Sequence, residues 1–334
     1  MKILFISSLN EKESSLNDFM HDIVLHGLRG IYSNNVIDYP GVWYMYRDEV
    51  KKRNYDINNL WGKGFTLYNL LSNYQQIDRT DIEKKIKTNY FDFIIFGSIH
   101  KPRFFFNEAI NSKSKIIFVD GNDHPFINEQ ITGKGVYFKR ELISDNIKNV
   151  YPINFAIPKE KIVHTINPKP LNVLAPLIPG KNSSYVYKNE QDYYQKYQDS
   201  IFALTYKKVG WDALRHYEIL MNGCIPLFLD IDKCPEKILT NFPKKILFDI
   251  FKQYSWILNQ FFPTNIYKKK FLTIEKFFLY FQNLFKKKHT GISFIDSYPE
   301  IIEIKEQLIN YTKKRLTTEN VAKNIISDTL KYYI

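Results

Sequence analysis

An arginine and a glutamate within residues 207–226 form the pair in this sequence best suited to chemistry. Arg215 and Glu218 are three residues apart, so they lie on one face of a predicted helix. A guanidinium presents a planar fork of donors that matches phosphate oxygens. A nearby carboxylate accepts hydrogen bonds from both hydroxyls of a ribose. The spacing therefore indicates a nucleotide-binding site, with a plain helix salt bridge beside an ordinary helix end as the alternative.

A turn at residues 120–125 supplies the candidates for a general base. Asp120, Asp123 and His124 follow an apolar strand at residues 116–119. A base of this kind removes the proton of an acceptor hydroxyl as that hydroxyl attacks. The alternative is a structural turn, because Asp and Asn side chains also cap turns and helices.

Strands alternate with helices through the first half of the chain. Short apolar runs predict strands at residues 2–7, 36–38, 91–96 and 116–119, and helical spacing predicts helices at 16–29 and 102–111. We expect Gly30 to end the first helix. This alternation predicts a doubly wound α/β domain whose ligands gather beyond the carboxyl ends of the strands.

The second half repeats the α/β pattern after a proline-rich break at residues 157–170. Strands are expected at 171–177, 201–205 and 224–229, helices at 191–197 and 211–221, and further helix from 299 to 334. The predicted domains are residues 1–160, an acceptor domain, and residues 170–305, a donor domain. The helical segment 306–334 is expected to pack back on the first domain.

One segment resembles a known family of enzymes. Arg215-His216-Tyr217-Glu218 followed by Asn222-Gly223-Cys224-Ile225-Pro226 is similar to the donor-site helix of GT-B glycosyltransferases, and above all to the exostosin-like group. The Arg-x-x-Glu spacing is also similar to that of phage DNA glucosyltransferases. The resemblance covers about 25 residues and implies the GT-B fold, in which two Rossmann-like domains face each other across a cleft.

The resemblance also implies roles for individual residues. Arg215 would contact the donor diphosphate and Glu218 the ribose, with Lys207 and Lys208 as further phosphate contacts. The implied set of donor-nucleotide residues is completed by Tyr217 and Gly223. Common retaining enzymes carry a second glutamate where this sequence has Gly210, so the stereochemistry stays open.

Several functional classes lack their motifs here. The first strand is followed by Ser7-Ser8-Leu9-Asn10 rather than by a glycine-rich dinucleotide turn, and no phosphate-binding P-loop is present. The GT-B resemblance implies a donor held by side chains and a helix N-terminus, so we expect neither a cofactor nor an obligatory metal. Two cysteines are too few for a disulfide framework.

The net charge of +12 is unevenly distributed. Residues 267–289 carry seven lysines and one glutamate, half of the total excess, interleaved with aromatic residues. Such a segment suits an anionic membrane surface or, less well, nucleic acid, although core aromatics beside solvated lysines explain it more simply. Lys139 and Arg140 could bind an anion, but a solvated charged face is the preferred interpretation of residues 137–141.

These observations predict a glycosyltransferase that moves a sugar from a nucleotide-diphosphate sugar to a saccharide or glycolipid acceptor in surface glycan synthesis. A DNA-base glucosyltransferase and a non-catalytic membrane- or nucleic-acid-binding module are the alternatives. The first apolar run is too short for a signal peptide, so the expected location is cytoplasmic, with peripheral attachment to a membrane face as a further option.

Overall fold

The structure is a computed structural model that describes residues 1–7, 17–100, 103–144, 147–180, 182–261 and 290–333. Within these ranges the chain forms two parallel α/β domains. The basic segment 267–289, for which membrane contact was an option, lies outside the described residues.

The first domain contains a six-stranded parallel sheet in the order β2-β1-β3-β4-β5-β6. Its strands are β1 (Ile3–Ile6), β2 (Val36–Tyr39), β3 (Phe93–Phe96), β4 (Lys115–Asp120), β5 (Val136–Lys139) and β6 (Val150–Pro152). The order reverses between β1 and β3, which makes the sheet doubly wound. The central strands are buried along their whole length, as expected for a sheet covered on both faces.

The second domain contains a smaller parallel sheet in the order β7-β8-β9. Its strands are β7 (Asn172–Leu174), β8 (Ser200–Thr205) and β9 (Ile225–Phe228). The two domains face each other across a cleft, which is the GT-B arrangement. The predicted fold class is therefore confirmed.

The described helices connect and cover these strands. They are α1 (Phe19–Tyr32), α2 (Arg47–Lys52), α3 (Ile82–Lys87), α4 (Phe106–Ile110), α5 (Glu129–Thr132), α6 (Glu190–Gln198), α7 (Leu214–Met221), α8 (Lys244–Phe261), α9 (Gly291–Ser297), α10 (Glu300–Arg315) and α11 (Thr318–Tyr332). Short 3-10 turns occur at Ser33–Asn35, Trp43–Met45, Ile57–Asn59, Trp61–Gly64, Tyr74–Gln76, Lys159–Lys161, Asn182–Ser184 and Ile231–Lys233.

Helix α1 shows where the sequence pattern was misleading. Asp18 caps its first turn by accepting from the backbone N–H groups of Met20 and His21. The helix continues through Gly30 instead of ending there, so that prediction was wrong. A Cβ at position 30 would lie 3.3 Å from the Glu319 side chain. The glycine serves close helix packing, not helix termination.

The C-terminal helix α11 packs lengthwise against α1 of the first domain. The approach is closest at Gly27, where an added Cβ would lie 2.0 Å from the carbonyl oxygen of Thr318. Next to this contact, the backbone N–H of Thr318 donates to the carbonyl of Ile157 over 3.0 Å. The chain therefore returns to the first domain after completing the second.

Replacing Gly27 by alanine should destabilise the protein, although alanine favours an isolated helix by about 1 kcal/mol. The added methyl group collides with the backbone of α11, so we expect the free energy of unfolding to fall by about 1–3 kcal/mol in urea titrations. Gly133→Ala is the matched control, because nothing lies within 4 Å of its Cβ position. Equal stabilities of the two variants would contradict the close contact.

Candidate functional site

A cavity of about 1040 Å³ lies between the two domains and is lined by both. Residues that follow β4 and residues that follow β8 form parts of opposite walls, so the cavity lies at the carboxyl ends of these parallel strands. Its lining includes Asp18, Phe19, Trp61, Phe65, Gly121, Asn122, Asp123, Arg140 and Phe155 of the first domain, and Tyr185, Tyr193, Lys208, Gly210, Asp212, Arg215 and Glu218 of the second.

Arg215 lines this interdomain cavity from the first turn of α7. Its Nε and Nη2 atoms are buried and have no hydrogen-bond partner in the part of the chain that the structure describes. Lys208 lines the same cavity from the preceding loop, and burial together with the nearby charge of Arg215 lowers the pKa of its ammonium group. Two cations thus share one wall, and a buried guanidinium with two unpartnered nitrogens favours an anionic ligand.

Glu218 also lines the cavity, and its carboxylate connects the two domains. One oxygen accepts from Thr66 Oγ1 of the first domain at 2.6 Å, and the other accepts from Tyr193 Oη at 2.8 Å. Burial raises the pKa of Glu218, although both hydrogen bonds and the charge of Arg215 oppose the shift. Among the described ion pairs none joins Arg215 to Glu218, so the simple helix salt bridge is not what this pair forms. The ribose role of Glu218 stays a prediction.

Three other predicted donor residues lie outside the cavity lining. The ammonium of Lys207 lies 5.6 Å from the centre of the Trp211 ring, and Tyr217 is fully buried beside Phe242. Gly223 ends α7 with a positive φ of 68°, where a Cβ would lie 2.9 Å from Ile166. The positions of Tyr217 and Gly223 do not suit ligand contact, because core packing and the turn explain both residues.

Asp120 does not line the cavity, and its role as a base stays a prediction. Its side chain is fully buried at the end of β4, with one oxygen 2.8 Å from His100 Nε2 and 3.0 Å from Lys139 Nζ. The other oxygen accepts from Tyr137 Oη at 2.6 Å. Burial works to raise the pKa of Asp120, but the His100 hydrogen bond and the Lys139 charge outweigh it and lower the pKa. The carboxylate is therefore a buried, ionised group whose two oxygens already have partners.

The other two base candidates differ in position. Asp123 lines the cavity with a half-exposed side chain, but it forms an ion pair with Arg140. His124 is exposed beside Phe126 and is not part of the lining. The turn itself is built by Asx-type contacts, since Asp120 accepts from the backbone N–H of Asn122. The structural interpretation of this turn was correct for Asp120.

Arg140 and Glu141 form a clamp across the cleft that sequence reasoning missed. Glu141 accepts from the backbone N–H groups of Trp211 and Asp212 at 3.1 and 2.9 Å. Arg140 donates to the carbonyls of Gly121 and Asp212. Both side chains are buried, so the solvated face expected at residues 137–141 is wrong. The sequence feature that could have identified Arg140 and Glu141 is their position immediately after an apolar strand, at the carboxyl edge of the sheet.

Gly210 is required by the same close approach. A Cβ at this position would lie 2.6 Å from a carboxylate oxygen of Glu141 and 3.0 Å from one of Asp123. There is no room for the second glutamate that common retaining GT-B enzymes carry here. Glycine occupies this position because side chains of the first domain leave no room for a Cβ.

His216 fixes the start of α7 against β8. The ring is fully buried, with Nδ1 at 2.8 Å from Thr205 Oγ1 and Nε2 at 2.9 Å from the carbonyl oxygen of Trp211. The carbonyl can only accept, so Nε2 donates and Nδ1 accepts. Burial lowers the pKa of His216 to about 3, and the residue is a neutral spacer beneath Arg215.

The described residues contain no group of three or more His, Cys, Asp or Glu side chains placed to hold a metal ion. That no metal or cofactor is needed stays a prediction. Likewise, no helix in the described ranges is long and apolar enough to cross a membrane.

Comparisons with known proteins give little further information. The chain matches no protein-family profile and no curated protein. Among solved structures it is similar to an alpha-glucosyltransferase in complex with UDP and a 13-mer DNA containing a central A:G mismatch, at 11% sequence identity and a TM-score of 0.37. That alignment covers 90% of this chain and 99% of the other. At such a TM-score the similarity carries no argument about function.

The buried carboxyl group of Asp212 should make stability depend on pH. Burial raises its pKa from 3.8 to about 7, so the folded state binds this proton more tightly than the unfolded state. The stability contributed by the protonated group is present at low pH and is lost as the pH rises from about 4 to 7. Asp212→Asn removes this loss, so its stability relative to wild type should rise over that range by up to about 4 kcal/mol.

The measurement is urea unfolding of both proteins at intervals from pH 4 to pH 8. The exposed Asp232→Asn controls for the change in net charge. A constant difference between Asp212→Asn and wild type across this range would contradict the shifted pKa.

Proposed function

We propose that this protein is a glycosyltransferase that transfers a sugar from a nucleotide-diphosphate sugar to an acceptor hydroxyl. The observation that carries the proposal is Arg215, whose buried guanidinium lines the interdomain cavity with Nε and Nη2 unpartnered in the described part of the chain. A buried cationic donor without an acceptor is costly unless a ligand satisfies it. A diphosphate provides both the charge and the oxygens.

The surroundings of Arg215 suit the rest of such a donor. Lys208 adds a second positive charge on the same wall, and the aromatic rings of Tyr185, Tyr193 and Phe65 supply apolar lining. A cavity of about 1040 Å³ is large for a small-molecule site, which typically measures about 300–1,000 Å³. A nucleotide sugar together with part of an acceptor accounts for that size.

The first domain supplies the other wall and therefore the acceptor side. We propose a saccharide or a glycolipid as the acceptor, in keeping with the donor-helix resemblance. Exposed Trp61 lies on this wall, and Asn17 fixes its backbone by accepting from its N–H at 2.8 Å and donating to its carbonyl at 3.2 Å. An exposed indole on a backbone fixed in this way suits a sugar ring.

Removing the Arg215 guanidinium should weaken donor binding by about 10- to 100-fold, because a charge-assisted contact contributes about 1.5–3 kcal/mol. The measurement is the melting temperature against UDP-, GDP- and dTDP-sugars, since a ligand that binds only the folded state raises it. Arg215→Gln should lose most of the shift that wild type shows. Arg315→Gln, the same substitution at an exposed helix end, is the matched control and should keep it.

Absence of a shift with every nucleotide sugar, or an equal shift in both variants, would contradict the proposal. The acceptor is then tested by release of the nucleoside diphosphate with oligosaccharides, glycolipid micelles or duplex DNA added. Release that depends on duplex DNA and falls steeply with salt would replace the saccharide acceptor by a DNA base.

A further inference from the structure

A hydroxyl group of the first domain occupies the Glu218 carboxylate at the wall of the cavity. Thr66 Oγ1 donates to one oxygen of Glu218 over 2.6 Å, and Tyr193 Oη donates to the other over 2.8 Å. Thr66 Oγ1 also lies 2.5 Å from Tyr194 Oη. Thr66 is 1% and Glu218 7% exposed, so these neighbours cover the carboxylate almost completely. A ligand that binds both oxygens through two hydroxyl groups must therefore replace at least one of the two donors.

The two partners of Glu218 differ in how firmly they are held. Tyr193 lies within helix α6, is buried, and packs its ring 5.4 Å from that of Tyr197. Thr66 ends the segment of residues 61–66, in which four residues have a positive φ between 57° and 73°. The φ of 73° at Thr66 is strained for a β-branched residue. Thr66 is therefore the partner that leaves more readily, and strain of this kind is typical of functional segments.

The segment 61–66 joins the two walls of the cavity. It begins at Trp61, which lines the cavity from the first domain, and it ends at the Thr66 contact with Glu218 of the second domain. Further hydrogen bonds to the second domain run from Lys63 Nζ to the carbonyl of Tyr187 and from the Thr66 N–H to Glu190, each over 2.5 Å. A ligand at Glu218 thus acts directly on the segment that carries Trp61.

We propose that Thr66 is a built-in competitor of the donor: its hydroxyl holds Glu218 until a hydroxyl of the bound donor replaces it, and the segment 61–66 is then released. This inference rests on the proposed function, with the ribose of the nucleotide sugar at Glu218. The ribose offers two adjacent hydroxyl groups. Thr66 offers one, from a strained backbone, so the donor wins the competition when it is bound in the cavity.

The competition couples the two sides of the cavity. Trp61, the proposed platform for an acceptor sugar, belongs to the segment that the donor releases. Donor binding therefore changes the acceptor wall, and acceptor binding must change the donor affinity by the same factor. The clamp formed by Arg140 and Glu141 involves other residues, so the two domains keep their separation while the segment moves.

The first test is the donor affinity of variants at position 66. The ligand is the UDP-, GDP- or dTDP-sugar that raises the wild-type melting temperature, titrated by calorimetry. Valine has the shape of threonine but no hydroxyl, so it leaves Glu218 open to the donor. Thr66→Val should bind about 3- to 10-fold more tightly than wild type, the range for the net contribution of one hydrogen bond. Thr66→Ser keeps the hydroxyl and is the matched control, with wild-type affinity.

The second test uses the wild-type protein and needs no variant. Hydrogen exchange of the backbone amides in residues 61–66 should become faster when the donor is added, because the segment loses its contact with Glu218. A ligand that merely covers the segment would slow this exchange. The two possibilities therefore differ in sign.

Each outcome separates this inference from the proposed function. Equal or weaker donor binding by Thr66→Val, or slower or unchanged exchange of the segment with donor, would overturn the competition and leave the glycosyltransferase in place. Failure of wild type and of Thr66→Val to bind any nucleotide sugar would overturn the proposed function and this inference with it. Tighter binding by the valine variant, wild-type affinity of the serine variant and faster exchange are the expected results.

Discussion

The polar clamp between the two domains is the constraint on which the cavity depends. Glu141, at the carboxyl edge of the first sheet, holds two consecutive backbone N–H groups of the loop that leads into α7. Arg140 donates a hydrogen bond to the carbonyl of Asp212 in the same loop. Buried polar groups of this kind stabilise a structure only when nearly all of them are satisfied. The clamp therefore sets one separation of the two walls, and the cavity is preformed.

The position of each functional side chain follows from that separation. Lys208 lies in the clamped loop and Arg215 in the first turn of the helix that the loop begins, so both cations keep a fixed distance from the first domain. Gly210 is the point of closest approach, where the opposite wall leaves no room for a Cβ. Thr66 and Glu218 add a second link across the cleft. A ligand of the proposed kind would enter between two walls that are already aligned.

The sequence predicted the fold better than the site, for physical reasons. Apolar runs such as residues 116–119 and the helix that carries Arg215 are local patterns, so strand, helix and the two-domain order could be predicted from them. Contacts between distant residues leave no such pattern. Asp120 was recognised as important, but only the structure shows that it is fully buried and paired with His100. The sequence did not single out His100. The same holds for Arg140, whose partners come from another domain.

The central claim is that Arg215 binds the diphosphate of a nucleotide sugar inside the interdomain cavity. A crystal structure of the protein with a bound nucleoside diphosphate measures this directly, as the distance between the Arg215 guanidinium nitrogens and the phosphate oxygens. We predict hydrogen-bonding distances of about 2.7–2.9 Å, as is usual for charge-assisted pairs. A nucleotide bound elsewhere, or in the cavity with Arg215 still unpartnered, would contradict the account.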